Sequence, residues 1–230
     1  MEPLAEARGF LICHPQGTLD RQGWPFWNAT DASADFYGSN VDDSAYLRGL
    51  IEELAQQYVV DRKRIYVTGN SNGGFMSHRM ACDQADLVAA IASHSGVTFL
   101  DADARRPSQP VNVLQIHGTA DEYVPYGGGA TLGGFPVTAL MPGAVATVQK
   151  WASFNGCQGP QWDAKPSMDL DLAVAGLDTT VMRYTNCPPG GAVELWRING
   201  GLHGTVFFSG TTSSEYSVRV IDWLLAHPKP

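Results

Sequence analysis

Residues 64–82 read RIYVTGNSNGGFMSHRMAC. Ile65 to Thr68 form a β-branched and aromatic run, the spacing after Asn72 is helical, and between them lies Gly69-Asn70-Ser71-Asn72-Gly73, a G-x-S-x-G pattern. A strand that turns directly into a helix around a serine is the context a nucleophile elbow requires, because the serine must take a strained backbone conformation to expose its Oγ. The flanking glycines remove side chains that would collide in so tight a turn, and Gly74 gives clearance for a close helix–sheet approach. These residues predict a strand over 65–68 and a helix from about Asn72 to Cys82.

Outward from the elbow, apolar runs alternate with helical periodicity, the signature of βα units and a mostly parallel sheet with helices on both faces. Further strands are predicted at Phe10–Cys13, Leu87–Ala92, Val111–Ile116, Thr180–Tyr184 and Val193–Ile198. Asp42 or Asp43 can cap a helix that presents Leu47, Leu50, Leu54 and Tyr58. Pro142 opens another with Val145, Val148 and Ala152 on one face. A last helix, from about Ser214 to Ala226, buries Val218, Ile221 and Leu225. The stretch from His14 to Asn40 shows no periodicity. The run Gly127–Gly134 lacks the preceding strand, following helix and lysine of a phosphate loop, and reads as a surface loop.

Composition bounds the function. With 230 residues, 44% of them hydrophobic and 17% charged, the chain is expected to fold as one domain over residues 1–230, not as a disordered segment or coiled coil. Fifteen Lys+Arg against 23 Asp+Glu give a net charge of −8, the wrong sign for displacing counterions from nucleic acid. No apolar stretch is long enough to span a membrane, and the first ten residues do not resemble a signal peptide. The four cysteines show no Cys-x-x-Cys spacing, so no metal site is expected. Cys13 and Cys82 read as buried thiols. Cys157 and Cys187 sit beside turn residues and could pair, which would point to an oxidising compartment.

A serine nucleophile needs a base, and the base an orienting acid. In the chain order Ser, acid, His, the acid should leave the strand that ends at Ile116. Asp121, 50 residues after Ser71, fits, with Glu122 as the competing acid. Of the later histidines, His78 faces away on the elbow helix and His94 ends a strand where it could border the pocket. His117 supports the following loop, and His227 suits the negative end of the last helix. His203, in a glycine-rich loop between the last strand and the last helix, is the expected base. No cofactor is required.

Three segments, VTGNSNGGFMSHRMAC (67–82), LQIHGTADEYVPY (114–126) and VELWRINGGLHG (193–204), resemble the polyhydroxybutyrate depolymerase and feruloyl esterase group of α/β-hydrolases. The resemblance runs from about Leu11 to the last helix. It implies a serine carboxylic-ester hydrolase with Ser71 as nucleophile, Asp121 as acid and His203 as base, and with the Asn72 backbone N–H as an oxyanion donor. It also implies Trp27, in a Trp-Asn-Ala segment, as a pocket wall, a Cys157–Cys187 disulfide, and a secreted or periplasmic parent. The implied partner is a small or polymeric ester: hydroxycinnamoyl, polyhydroxyalkanoate, synthetic polyester or short acyl. The alternative is a catalytically weak remnant serving as a binding or assembly module.

Relatives carry further strands and a second oxyanion donor ahead of a segment like PLAEARGFLICHPQG, where this chain starts. The expectation is therefore an N-terminally truncated α/β-hydrolase sheet in which Phe10–Cys13 moves beside the elbow strand. A homodimer that fills the slot is the alternative.

Overall fold

The computed structural model describes residues 2–20, 22–30, 40–101, 105–204 and 214–230. Its elements are α1 (Glu2–Arg8), β1 (Thr18–Leu19), β2 (Pro25–Phe26), α2 (Asp43–Gln57), β3 (Tyr66–Asn70), α3 (Asn72–Asp83), β4 (Ala90–His94), β5 (Asn112–Gly118), β6 (Gly128–Leu132) and β7 (Phe135–Pro142). They continue with α4 (Ala144–Asn155), β8 (Gln158–Trp162), β9 (Thr179–Thr185), β10 (Val193–Ile198) and α5 (Ser214–Ala226). Six strands make the central sheet in the order β3-β4-β5-β10-β9-β8. The first four run parallel, while β9 and β8 are antiparallel additions.

The central strands carry apolar residues on both faces, and the two-residue period sends alternate side chains to opposite helix layers. Ile91, Val113 and Leu195 meet Phe75 and Met80 of α3 and Val148 and Trp151 of α4. Ala92, Leu114, Ile116 and Ile198 meet Tyr216, Val220 and Trp223 of α5 on the other face. Four parallel strand ends therefore open along one edge of a sheet clamped between helices. The two sides of α2 and α3 are joined at Asp42, which caps α2 by accepting from Ala45 N–H and also pairs with Arg79.

The structure corrects several expectations. Phe10–Cys13 forms no strand: Leu11 is 58% exposed, Cys13 is exposed rather than buried, and β3 pairs only with β4 among the described residues. Of the run, Phe10 reaches the core. Phe10 packs with Leu4 of α1 and Tyr66 of β3 against the α5 cluster, and Arg8 pairs with Asp222. Four apolar residues fit a packed coil as well as a strand, so periodicity does not distinguish them. The glycine run Gly127–Gly134 is not a loop but supplies strand β6 and the Gly133-Gly134 turn of the β6–β7 hairpin.

The strand predicted at Leu87–Ala92 starts later, at Ala90, and continues to His94. In α4 the buried face is Ala144, Thr147, Val148, Trp151 and Ala152, which leaves Val145 outside. In α5 it is Tyr216, Val220, Ile221, Trp223 and Leu224, which leaves Val218 and Leu225 half-buried. The aromatic residues, being larger, claim the core and rotate each helix. Within the stretch His14–Asn40, a short β1–β2 pairing forms, and residues 21 and 31–39 lie outside the described residues.

Candidate active site

Ser71 joins β3 to α3 with φ 51° and ψ −118°, a region that costs a non-glycine residue about 1–3 kcal/mol. Its surroundings hold it there. The Ser71 N–H donates to His94 O at 2.8 Å, and its carbonyl accepts from Phe75 N–H at 3.0 Å. A Cβ on Gly69 would lie 2.4 Å from the Gly73 carbonyl carbon, so the turn closes only with glycine. Asn72 follows as the first residue of α3, where the positive end of the helix dipole faces outward.

The Asn72 side chain does something the sequence did not suggest. Its Oδ1 accepts from Trp27 N–H at 2.7 Å, and its Nδ2 donates to Trp27 O at 2.9 Å. The elbow thus grips the Trp27 backbone at two points. The half-buried Trp27 ring stacks on Tyr46, with centroids 6.4 Å apart. The next residue is tied as well: Asn28 N–H donates to Asp43 Oδ2, and its carbonyl accepts from Arg79. The Trp27-Asn28 backbone is therefore held against the first turn of α3 and the start of α2.

The loops that carry Asp121 and His203 leave the adjacent parallel strands β5 and β10, where Gly118 stands in register with Ile198. They are sewn together by Thr119 N–H to Ile198 O (2.9 Å), Ala120 N–H to Gly201 O (3.0 Å) and Gly200 N–H to Thr119 Oγ1 (2.8 Å). As a result, His203 Nδ1 lies 2.9 Å from Asp121 Oδ2. The other carboxylate oxygen accepts from the backbone N–H groups of Tyr123 (2.9 Å) and Val124 (2.8 Å). Burial alone would raise the Asp121 carboxyl. The contacts from His117 and His203 and the Val124 N–H outweigh it and hold the group well below the usual carboxylate range. Asp121 is thus a buried, ionised acceptor for the imidazole.

Behind Asp121 runs a buried relay. Trp151 Nε1–H donates to His78 Nδ1 (3.0 Å), so His78 carries its proton on Nε2 and donates to Gln115 Oε1 (2.9 Å). The Gln115 amide donates to Gly96 O (2.7 Å) and His117 Nδ1 (3.3 Å). His117 Nε2–H is left to serve Val124 O (2.8 Å) and Asp121 Oδ2 (3.4 Å). Each donor points toward the carboxylate. Burial pushes His78 down to about 4. His94 is pushed down to about 3, by burial first and then by nearby His117 and His203.

Each sequence expectation now has a position. Asp121 and His203 are in contact, and Ser71 shares the same strand-end edge, linked through His94 O to the strand that precedes Ser95. No hydrogen bond joins Ser71 Oγ to His203 in this structure; such contacts commonly tighten only when substrate binds. Glu122 is exposed, as a solvated charge would be. His94 is an interior residue whose ring meets the Tyr216 hydroxyl at 3.2 Å, not a pocket lining. His227 Nδ1 donates to Trp223 O at the C-terminal end of α5. The structure joins Cys157 and Cys187, which clips the start of β8 to the end of β9. The relay and the Asn72–Trp27 grip went unread, because local periodicity does not name the distant partner of a polar side chain.

Esterases are among the known proteins this chain is similar to. The prolyl oligopeptidase family model matches residues 10–112, the portion that contains the elbow. Feruloyl esterase B of Piromyces equi is 33% identical over 200 residues, covering 85% of this chain and 34% of that protein. The bifunctional acetylxylan esterase/xylanase XynS20E of Neocallimastix patriciarum is 28% identical over 125 residues, covering 54% of this chain and 16% of that protein. This chain therefore spans about a third or less of the length of these relatives. A solved thermostable esterase superposes with a TM-score of 0.50 at 17% identity, covering 82% of this chain and 37% of that one, which shows the shared fold.

Proposed function

We propose that this feruloyl esterase-like α/β-hydrolase is a serine carboxylic-ester hydrolase that works through an acyl-enzyme on Ser71. The observation that carries the reading is the 2.9 Å contact between His203 Nδ1 and a buried Asp121, on the edge where the strained Ser71 is presented. With Nδ1–H directed at the carboxylate, Nε2 is the lone pair left to take the Ser71 proton as Oγ attacks the ester carbonyl. The Asn72 N–H, at the head of α3, meets the developing oxyanion. His203 then returns the proton to the departing alcohol. Water, deprotonated by the same imidazole, releases the acid and regenerates Ser71.

Hydroxycinnamoyl esters are the favoured substrates, since the chain resembles a protein named feruloyl esterase and Trp27 offers a fixed aromatic wall beside the oxyanion donor. Short acyl, polyhydroxyalkanoate and synthetic polyester substrates form the comparison set. The Cys157–Cys187 bond supports action in a secreted or periplasmic setting, where such bonds persist. The assembled acid–base pair weighs against a purely binding module.

The test is turnover of methyl ferulate and p-nitrophenyl butyrate by the purified chain, with and without a serine-reactive phosphonate. Hydrolysis that stops as the Ser71 peptide gains the adduct mass supports the reading. No turnover of any ester and no adduct would end it.

A further inference from the structure

We infer that Tyr123 forms a subsite for a ring borne by the leaving alcohol, a placement that rests on the catalytic reading above. Its phenol ring is 58% exposed yet lies against the His203 imidazole, with centroids 5.1 Å apart and planes 30° from parallel. The backbone beneath it is pinned twice. Tyr123 N–H donates to Asp121 Oδ1 at 2.9 Å, and its carbonyl accepts from Gly133 N–H at 2.7 Å. The ring edge also meets the hairpin turn, since a Cβ on Gly133 would lie 3.2 Å from Tyr123 Cδ1. A large aromatic ring is thus held in place at the base while much of it stays open to water.

Chemistry assigns the side. A general acid gives its proton to the atom that leaves, so groups around His203 border the alcohol half of the ester. Asn72 and the Trp27 it grips border the oxyanion and hence the acyl half. The two aromatics therefore divide the substrate between them. An open aromatic face next to a departing oxygen suits a cyclic alcohol whose flat C–H face can stack on it, as the face of a sugar ring can, better than a linear one.

The experiment compares cyclohexyl butyrate with ethyl butyrate, which share an acyl group and have leaving alcohols of similar basicity. The wild-type chain should prefer the cyclohexyl ester, and Tyr123→Ala should reduce the ratio of the two kcat/KM values about fivefold, mainly through KM. That factor is ~1 kcal/mol, the worth of one aromatic contact. Tyr123→Phe should keep the ratio. Equal losses on both esters, or a Phe variant that behaves like Ala, would overturn the subsite and leave a purely supporting role for the ring. Binding of cyclohexanol, followed by saturation-transfer NMR on Ser71→Ala, reads the subsite without catalysis. A signal that vanishes in the Ser71→Ala, Tyr123→Ala double variant supports it even if no ester is turned over, and a signal that persists there refutes it.

Discussion

Gly118 and Gly201 stand so close that a Cβ built on Gly118 would lie 2.2 Å from the Gly201 carbonyl oxygen. The contact brings the loop that carries Asp121 against the loop that carries His203, and three backbone-anchored hydrogen bonds around it fix their relative height. Gly118→Ala must therefore push the two loops apart. For the acid–base pair proposed above, a displacement of about 1 Å is worth about a hundredfold in rate. The expected outcome is a kcat/KM on p-nitrophenyl butyrate about 100-fold lower, in a protein that still shows cooperative unfolding. Activity within a few-fold of wild type would mean that the loops reposition independently.

Ser71, Asp121 and His203 should behave as one unit. Ser71→Ala and His203→Ala are each expected to lower kcat by about 10⁴-fold or more, and the double variant by no more than the worse of the two. Kinetics on the purified single and double variants decide the point. Additive losses would break up the assignment.

Asn72→Ala keeps the backbone N–H but removes both hydrogen bonds to Trp27. Two lost bonds with partly buried partners predict a destabilisation of about 1–3 kcal/mol in urea titration. Because the wall comes loose, KM for methyl ferulate should rise several-fold more than KM for methyl acetate. A parallel change for both esters would show that Trp27 does not contact the acyl group.

Acid stability follows from His78 and His94. Both are buried and neutral in the folded chain, pushed down to about 4 and about 3. The unfolded chain binds their protons near pH 6.5 and so holds more protons than the folded chain below that value. Stability from these groups is complete above about pH 6.5 and falls as the pH drops, to about 4 for His78 and about 3 for His94. Each unit crossed costs about 1.4 kcal/mol per histidine. Urea midpoints at pH 7, 5.5 and 4.5 should decline accordingly, and His78→Gln should make the decline shallower. A flat profile between pH 6.5 and 4.5 would contradict the buried neutral state.

The Cys157–Cys187 bond closes a separation of 30 residues at the antiparallel end of the sheet. Chain-entropy reasoning gives about 3–4 kcal/mol for a loop of that size. Replacing both cysteines by serine should lower unfolding stability by about that amount, with little effect on KM, because β8 and β9 lie on the far side of β10 from the elbow. Peptide mapping without reductant that recovers both thiols free would refute the bond.

Local chemistry was readable wherever a residue type answers to its own neighbours. Asp42 caps α2 through its own side chain, and Ser71 is placed by glycines within three positions of it. Partners far along the chain were legible only as loop positions. Asp121 and His203 are 82 residues apart, and their 2.9 Å contact comes from the parallel pairing of β5 with β10. The Gly127–Gly134 run misled because glycine suits a twisted hairpin with positive φ as well as a loop.

By itself, the sequence determined most of the alternating strands and helices and the strand–turn–helix around Ser71, since these depend on periodicity and on turns a few residues long. Tertiary structure alone decided that Phe10–Cys13 runs as coil rather than strand, with Phe10 packed and Leu11 and Cys13 exposed. It also decided that Asn72 holds Trp27, that Trp151 reaches Asp121 through His78, Gln115 and His117, and that Tyr123 lies on His203. The physical reason is the same for each. A buried polar group must find a partner somewhere, but which partner it finds depends on which strand ends and helix faces the finished sheet brings within about 3 Å.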